Sequence, residues 1–175
     1  SVDLLSLLET LLDISVIESG KPQLNITDSN LSELAKERID LYHEEANAKD
    51  IEVEANISEN LHANVDKMKV RQVFDNLITN AIKYSNKNSK VIVSLKLTES
   101  GYEFSIQDGG PGIDPSEQDQ LFKAYSVLSS KTTGGEKKTG LGLAIAKSIV
   151  DAHKGVISYR HDDKQHSTFY VNLPN

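Results

Sequence analysis

Apolar residues recur along the chain in two registers, one returning every three or four positions and one alternating. Leu4, Leu5, Leu8, Leu11 and Leu12 form a helical stripe that Ser19, Gly20, Lys21 and Pro22 break. A helix this short is marginal without a partner, so it reads as the tail of a bundled element from a longer protein. Asn30, with Glu33 three positions later, has the spacing of a capping box and opens a second helix through Leu31, Leu34, Ala35, Ile39 and Tyr42 to about Ala48. The strongest helical pattern covers residues 71–85: Val70, Val73, Phe74, Leu77, Ile78, Ala81 and Ile82 make one broad apolar stripe, and Asp66 is placed to cap it. A last helix opens at Gly140, Leu141, Gly142 and Leu143 and runs to about His153, with Gly155 expected in the C-terminal glycine position.

Alternation marks the strands. Ile51, Val53, Ala55 and Ile57 interleave with Glu52, Glu54 and Asn56, which predicts a strand with one wet face. Residues 91–97 and 102–108 read as a hairpin joined through Glu99, Ser100 and Gly101. Tyr102, Phe104 and Ile106 share a face with Asp108, so this carboxylate points where the core points. Residues 156–159 and 168–173 predict a closing hairpin around 161–165. Between the two hairpins lie a glycine-rich turn (109–113), a short helix expected over 117–125, and a Ser/Thr/Gly/Lys-rich loop over 129–139, expected to be mobile and functional.

Composition narrows the class. At 175 residues, 38% hydrophobic and 26% charged, the chain has enough apolar surface for a globular core. No apolar run has the length of a bilayer span, and the N-terminus lacks a secretion signal, which points to a cytoplasmic protein with no membrane contact in this fragment. The absence of cysteine excludes disulfides and thiolate metal sites. A net charge of -7 argues against nucleic acid as the partner and requires any anionic ligand to find a local basic pocket.

Chemistry concentrates on the helix over 71–85. Asn76, Asn80 and Lys83 stack two carboxamides and an ammonium on one face, although asparagine weakens a helix interior. A carboxamide oxygen is a hard, neutral magnesium ligand and the lysine can meet phosphate; a merely solvated polar face is the alternative. Gly140 to Leu143 at a helix N-terminus can cradle an anion. Inward Asp108 needs a donor, which an adenine amine or the amides of the glycine turn could supply. Lys131, Lys137 and Lys138 either serve a phosphate or form a solvated charged loop.

Taken together, these stretches resemble the catalytic, ATP-binding domain of bacterial two-component sensor histidine kinases. Residues 72–85 (QVFDNLITNAIKYS) are similar to the asparagine box, 108–113 (DGGPGI) to the first glycine box, 121–125 (LFKAY) to the phenylalanine box, and 139–147 (TGLGLAIAK) to the second glycine box. The resemblance implies an α/β (α+β) two-layer sandwich, with a mixed sheet covered on one face by helices, an ATP lid, and a short leading helix. It implies ATP and magnesium as cofactors, Asn80 as principal metal ligand with Asn76 assisting, and Lys83 and Lys131 beside the phosphates. Asp108 would read the adenine amine, with Tyr84 and Ile113 walling the base and Thr168 supporting Asp108. Gly110, Gly112, Thr139, Gly140, Leu141, Gly142 and Leu143 would complete the nucleotide site.

By the same resemblance, residues 1–22 are the end of a dimerisation and phosphotransfer helix with its linker, and 23–175 the catalytic domain. Its partners would be the domain carrying the acceptor histidine and a response regulator, within a homodimeric whole whose membrane attachment the resemblance leaves open. Lys138 and His166 replace glycines usual in the family. None of His43, His62, His153, His161 or His166 lies in a phosphoacceptor context. Related ATPases carry a glutamate one turn before the magnesium asparagine, where this chain has Asn76, which disfavours hydrolysis. A nucleotide-binding module that has lost catalysis is the remaining rival.

Overall fold

A computed structural model describes residue 15 and residues 22–126, 140–161 and 166–175. The leading leucine stripe and the whole loop over 129–139, with Lys131 and Thr139, lie outside the described residues. In chain order the elements are β1 (Thr27–Asn30), α1 (Leu31–Ala48), β2 (Glu52–Ile57), β3 (His62–Val65), α2 (Lys67–Tyr84), β4 (Lys90–Thr98), β5 (Gly101–Asp108), α3 (Gly142–Ala152), β6 (Val156–His161) and β7 (Ser167–Leu173). Five strands form a mixed sheet in the order β2-β4-β5-β7-β6, in which β2 runs parallel to β4 and every other pair is antiparallel. The helices cover one face of it, giving the expected two-layer α/β sandwich.

The core forms where the helical stripe of α2 meets the inward positions of the central strands. All seven stripe residues of α2 are buried, and Phe74 stacks on Phe104 of β5 with ring centroids 4.1 Å apart. Val91, Val93 and Leu95 of β4 and Phe169, Val171 and Leu173 of β7 fill the same layer. Both expected caps are present: Asn30 Oδ1 accepts from the Glu33 amide at 3.1 Å, and Asp66 Oδ1 from the Lys69 amide at 3.1 Å. Asp66 does more than cap. Its second oxygen accepts from the Asn25 amide, and its own amide donates to His153 Nε2, while His153 Nδ1 bonds the Ile149 carbonyl. The start of α2 is thereby tied to the end of α3.

Three expectations change. The helix expected over 117–125 is a single 3-10 turn, Gln118–Gln120, followed by further turns, because the segment is too short to propagate and its amides bond three residues back. β1 and β3 form a two-stranded sheet that alternation could not reveal, since Thr27–Asn30 contains no apolar residue and both strands are four residues long. At the end of α3 the left-handed residue is Lys154 (φ 58°), not Gly155. The Lys154 amide reaches the Asp151 carbonyl and the Gly155 amide the Val150 carbonyl, the Schellman pattern shifted one position earlier than expected. Gly155 is required for space: a Cβ there would lie 2.4 Å from the Asn172 carbonyl oxygen.

Candidate functional site

One cavity lies between α2, the turn after β5 and the start of α3. Its α2 wall is the polar face opposite the core stripe, presenting Asn76, Thr79, Asn80, Lys83 and Tyr84. The side chain that departs from this face is Asp75, which turns toward Arg38 of α1 with Oδ2 and Nη1 3.6 Å apart. Asn76 explains one of the awkward asparagines: its Nδ2 donates to the Gly142 carbonyl at 3.0 Å, stitching α2 to the first turn of α3 and leaving Oδ1 as an acceptor. The amide orientation is assigned from this bond.

The opposite wall begins at Asp108, the last residue of β5, which is 6% exposed. Oδ1 accepts from the Gly110 amide at 2.9 Å, so the capping alternative is true of one oxygen. Burial raises the carboxyl from 3.8 to about 6, and the Gly110 amide and the nearby His161 only partly oppose this. The glycine turn is pressed against the end of α2. Gly109 donates to Ser85 Oγ and its carbonyl accepts from the backbone and side chain of Asn86. A Cβ on Gly110 would stand 2.6 Å from the Tyr84 carbonyl oxygen, so the close approach needs glycine. Gly112 (φ 80°) packs on the His161 ring. Pro111, Gly112 and Ile113 complete this wall.

The third side is the start of α3. Gly140 has φ 65°, and its carbonyl accepts from the Tyr125 amide at 2.9 Å. Gly142 faces Asn76, where an added Cβ would meet Oδ1 at 3.5 Å, an ordinary contact that would nevertheless occupy the cavity. Among the sequence-derived site residues, Asn76, Asn80, Lys83, Tyr84, Asp108, Gly110, Gly112, Ile113, Gly140, Gly142 and Leu143 all line this cavity.

Two do not. Leu141 is 5% exposed and packs into the core, because the first apolar position of α3 must face the sheet. Thr168 pairs with Gln107 and lies on the outer face of the sheet; its neighbour Ser167, the cross-strand partner of Asp108, lines the cavity instead. The alternation of buried Phe169, Val171 and Leu173 carried this signal, since counting back by twos reaches 167. Thr79, Leu121 and Phe169 are further cavity residues that sequence reading missed. Thr79 was detectable as the residue three after Asn76 on the same helix face; Leu121 and Phe169 look like any core residue.

Residues 65–175 match the family described as histidine kinase-, DNA gyrase B-, and HSP90-like ATPase. The chain is 33% identical over 174 residues to the circadian input-output histidine kinase CikA of Synechococcus elongatus, covering 98% of this chain and 23% of that protein, so it spans about a quarter of that relative's length. It superposes on full-length ShkA in complex with AMPPNP with a TM-score of 0.82 at 26% identity, over 98% of this chain and 36% of that one. It superposes on histidine kinase ThkA in complex with the response regulator TrrA with a TM-score of 0.78 at 25% identity, over 99% and 48% of the two chains.

Proposed function

The chain belongs to the histidine kinase-, DNA gyrase B-, and HSP90-like ATPase family, and from that premise we propose that it is the ATP-binding catalytic domain of a sensor histidine kinase. It would pass the γ-phosphoryl group of ATP to a histidine on a separate dimerisation and phosphotransfer domain. One observation carries this: a single cavity holds a buried carboxylate, Asp108, together with a polar helix face that offers two carboxamides and a lysine. A carboxylate suits an exocyclic amine and the other group suits a magnesium-bearing phosphate chain.

The residues present fit that ligand. Among the described residues no group of three or more His, Cys, Asp or Glu could hold a metal, so a metal here would take neutral amide oxygens and phosphate, as magnesium does. Asn80 is the principal ligand, and Asn76 assists through the oxygen left open by its bond to Gly142. Lys83 meets phosphate charge, and Tyr84 and Ile113 flank the base. Gly142 leaves space at the N-terminus of α3, where the helix dipole favours anions, and Gly140 lines the same end of the cavity. Ser167 takes the role expected of Thr168, with Lys131 as the lid cation and Thr139 among the residues that contact the nucleotide. Magnesium, when bound, offsets charge on the transferring phosphoryl group; the protein contributes positioning.

Transfer is favoured over hydrolysis because, among the described residues, Asp108 is the one carboxylate lining the cavity, and Asp75 turns away to Arg38. A carboxamide at position 76 cannot serve as a base for water. We further propose that residues 1–22 are the end of the acceptor-bearing helix and its linker, that a response regulator is the downstream partner as in the ThkA complex, and that the intact protein is a homodimer signalling in the cytoplasm. No described helix is long and apolar enough to cross a membrane.

The test mixes this chain with a separately made acceptor helix pair and radiolabelled ATP. Acid-labile label is expected on the added histidine, slowly because docking in trans lacks tethering, with none on this chain alone. Label on His43 or His153, or hydrolysis as fast as transfer, would overturn the proposal; nucleotide binding with no transfer would leave the regulatory-module alternative.

A further inference from the structure

Tyr159 does not line the cavity, yet its hydroxyl joins two residues that do. The ring enters from edge strand β6 and packs on Phe169 with centroids 5.1 Å apart. The oxygen accepts from the Ile113 amide at 3.1 Å and lies 2.9 Å from Ser167 Oγ. Two positions along the same strand, His161 packs against Gly112. The edge strand therefore grips the glycine turn at consecutive residues, on the side away from α2.

Either oxygen of the Tyr159–Ser167 pair could donate, and the Ile113 amide favours the arrangement in which the tyrosine does. Ile113 supplies one hydrogen to the tyrosine oxygen, and among the described residues Ser167 Oγ is the acceptor within reach of the tyrosine's own proton. When Tyr159 donates to Ser167, the serine proton is left to point elsewhere. Ser167 is 2% exposed, lines the cavity and stands directly across the ladder from Asp108.

We propose that Tyr159 is a positioning residue that sets base specificity: its hydroxyl holds the Ile113 turn and directs the Ser167 proton into the cavity beside Asp108. The inference rests on the nucleotide assignment above. A carboxylate acceptor next to a fixed hydroxyl donor matches adenine, whose amino group donates and whose adjacent ring nitrogen accepts. Guanine presents the reverse order at those two atoms, and a site with buried, oriented partners rejects it. A free serine rotor would accept either base.

Calorimetry with ADP and GDP on Tyr159→Phe, Ser167→Ala and the double variant tests this, since phenylalanine keeps the ring contact with Phe169. Tyr159→Phe should lower ADP affinity about 5- to 10-fold without weakening GDP, so the ADP-to-GDP preference falls. Pyrophosphate competition should not change. In the Ser167→Ala background the tyrosine change should add less than about twofold, because the two act as one unit. An unchanged ADP-to-GDP ratio in Tyr159→Phe, or a full effect in the double variant, overturns the proposal. Failure of the nucleotide assignment looks different: the unaltered chain would bind neither ADP nor ATP. Amide exchange at Ile113 without ligand decides the clamp independently, with at least 5-fold faster exchange expected in Tyr159→Phe and equal rates overturning it.

Discussion

Asp108 ends a strand whose preceding inward residues are Ile106 and Phe104, so its carboxylate is carried into an apolar layer by the same alternation that buries them. A group titrating near 6 in the fold and near 3.8 when unfolded keeps its proton longer in the folded state. Stability contributed at this site therefore falls as pH rises from about 4 to 6 and stays low above that, a loss of about 3 kcal/mol. Asp108→Asn keeps the acceptor for Gly110 and removes the charge. Denaturant melts of the two proteins should coincide near pH 4 and diverge by pH 7.5, where the variant is about 1–3 kcal/mol more stable while ADP affinity falls at least tenfold. A variant no more stable than the parent at pH 7.5 would show that the ionised carboxylate is not strained in the free protein. The inward direction of Asp108 was legible from period-two alternation. Sequence reading chose Thr168 by its resemblance to the family residue, whereas the Phe169, Val171, Leu173 alternation points to Ser167, the position that lines the cavity.

At the scale of elements, α3 gives a paired test of what its C-terminus requires. Lys154 occupies the left-handed conformation at φ 58°, so Lys154→Gly should raise stability by about 0.5–1 kcal/mol. Gly155→Ala should lower it by more than about 2 kcal/mol, because the new methyl would meet the Asn172 carbonyl, which is backbone in β7 and cannot rotate away. Thermal melts of both variants check the assignment; equal effects would mean the cap is placed wrongly. Sequence reading located this end of the helix but took glycine for the residue that turns, since glycine is the commoner left-handed cap. The three described helices were otherwise legible, since each carries a stripe wide enough to need burial. β1 and β3 were not, because four mostly polar residues pair through backbone: the Thr27–Val65 to Asn30–His62 register and the adjoining Leu31 amide to Leu61 carbonyl bond hold them. Residues 117–125 failed the other way, with Leu121 buried and Phe122 set edge-on to Phe169 drawing the segment into turns.

For the molecule as a whole, a ligand that binds only the folded chain must stabilise it by mass action, by about 2.7 kcal/mol at a hundredfold excess over Kd. ADP with magnesium should therefore raise the melting temperature by several degrees, and chelating the metal should remove most of that rise if Asn76 and Asn80 serve as proposed. A shift indifferent to chelation would argue that the two amides serve packing alone. Motif order in the sequence anticipated that the cavity exists; its closure against β6 was invisible there, because Tyr159 and His161 meet the glycine turn only once the strands are ordered β5-β7-β6.

That order also governs how the protein must be made. β7, the last of the described strands, is interior to the sheet, hydrogen-bonded to β5 on one side and β6 on the other. Until residues 167–173 emerge from the ribosome, β5 lacks its partner along that edge and Phe104 and Ile106 lack the Val171 and Phe169 opposite them. The nascent chain can assemble α1, α2 and the β4–β5 hairpin early, but cooperative folding of this sheet has to wait until residues 167–173 are available to pair. A chain stopped at residue 165 should thus behave as an open, association-prone intermediate with no sharp melt rather than as a slightly trimmed domain. Supplying residues 166–175 as a separate peptide should restore part of the cooperative transition, and a sharp melt without that peptide would show that the sheet closes by another route.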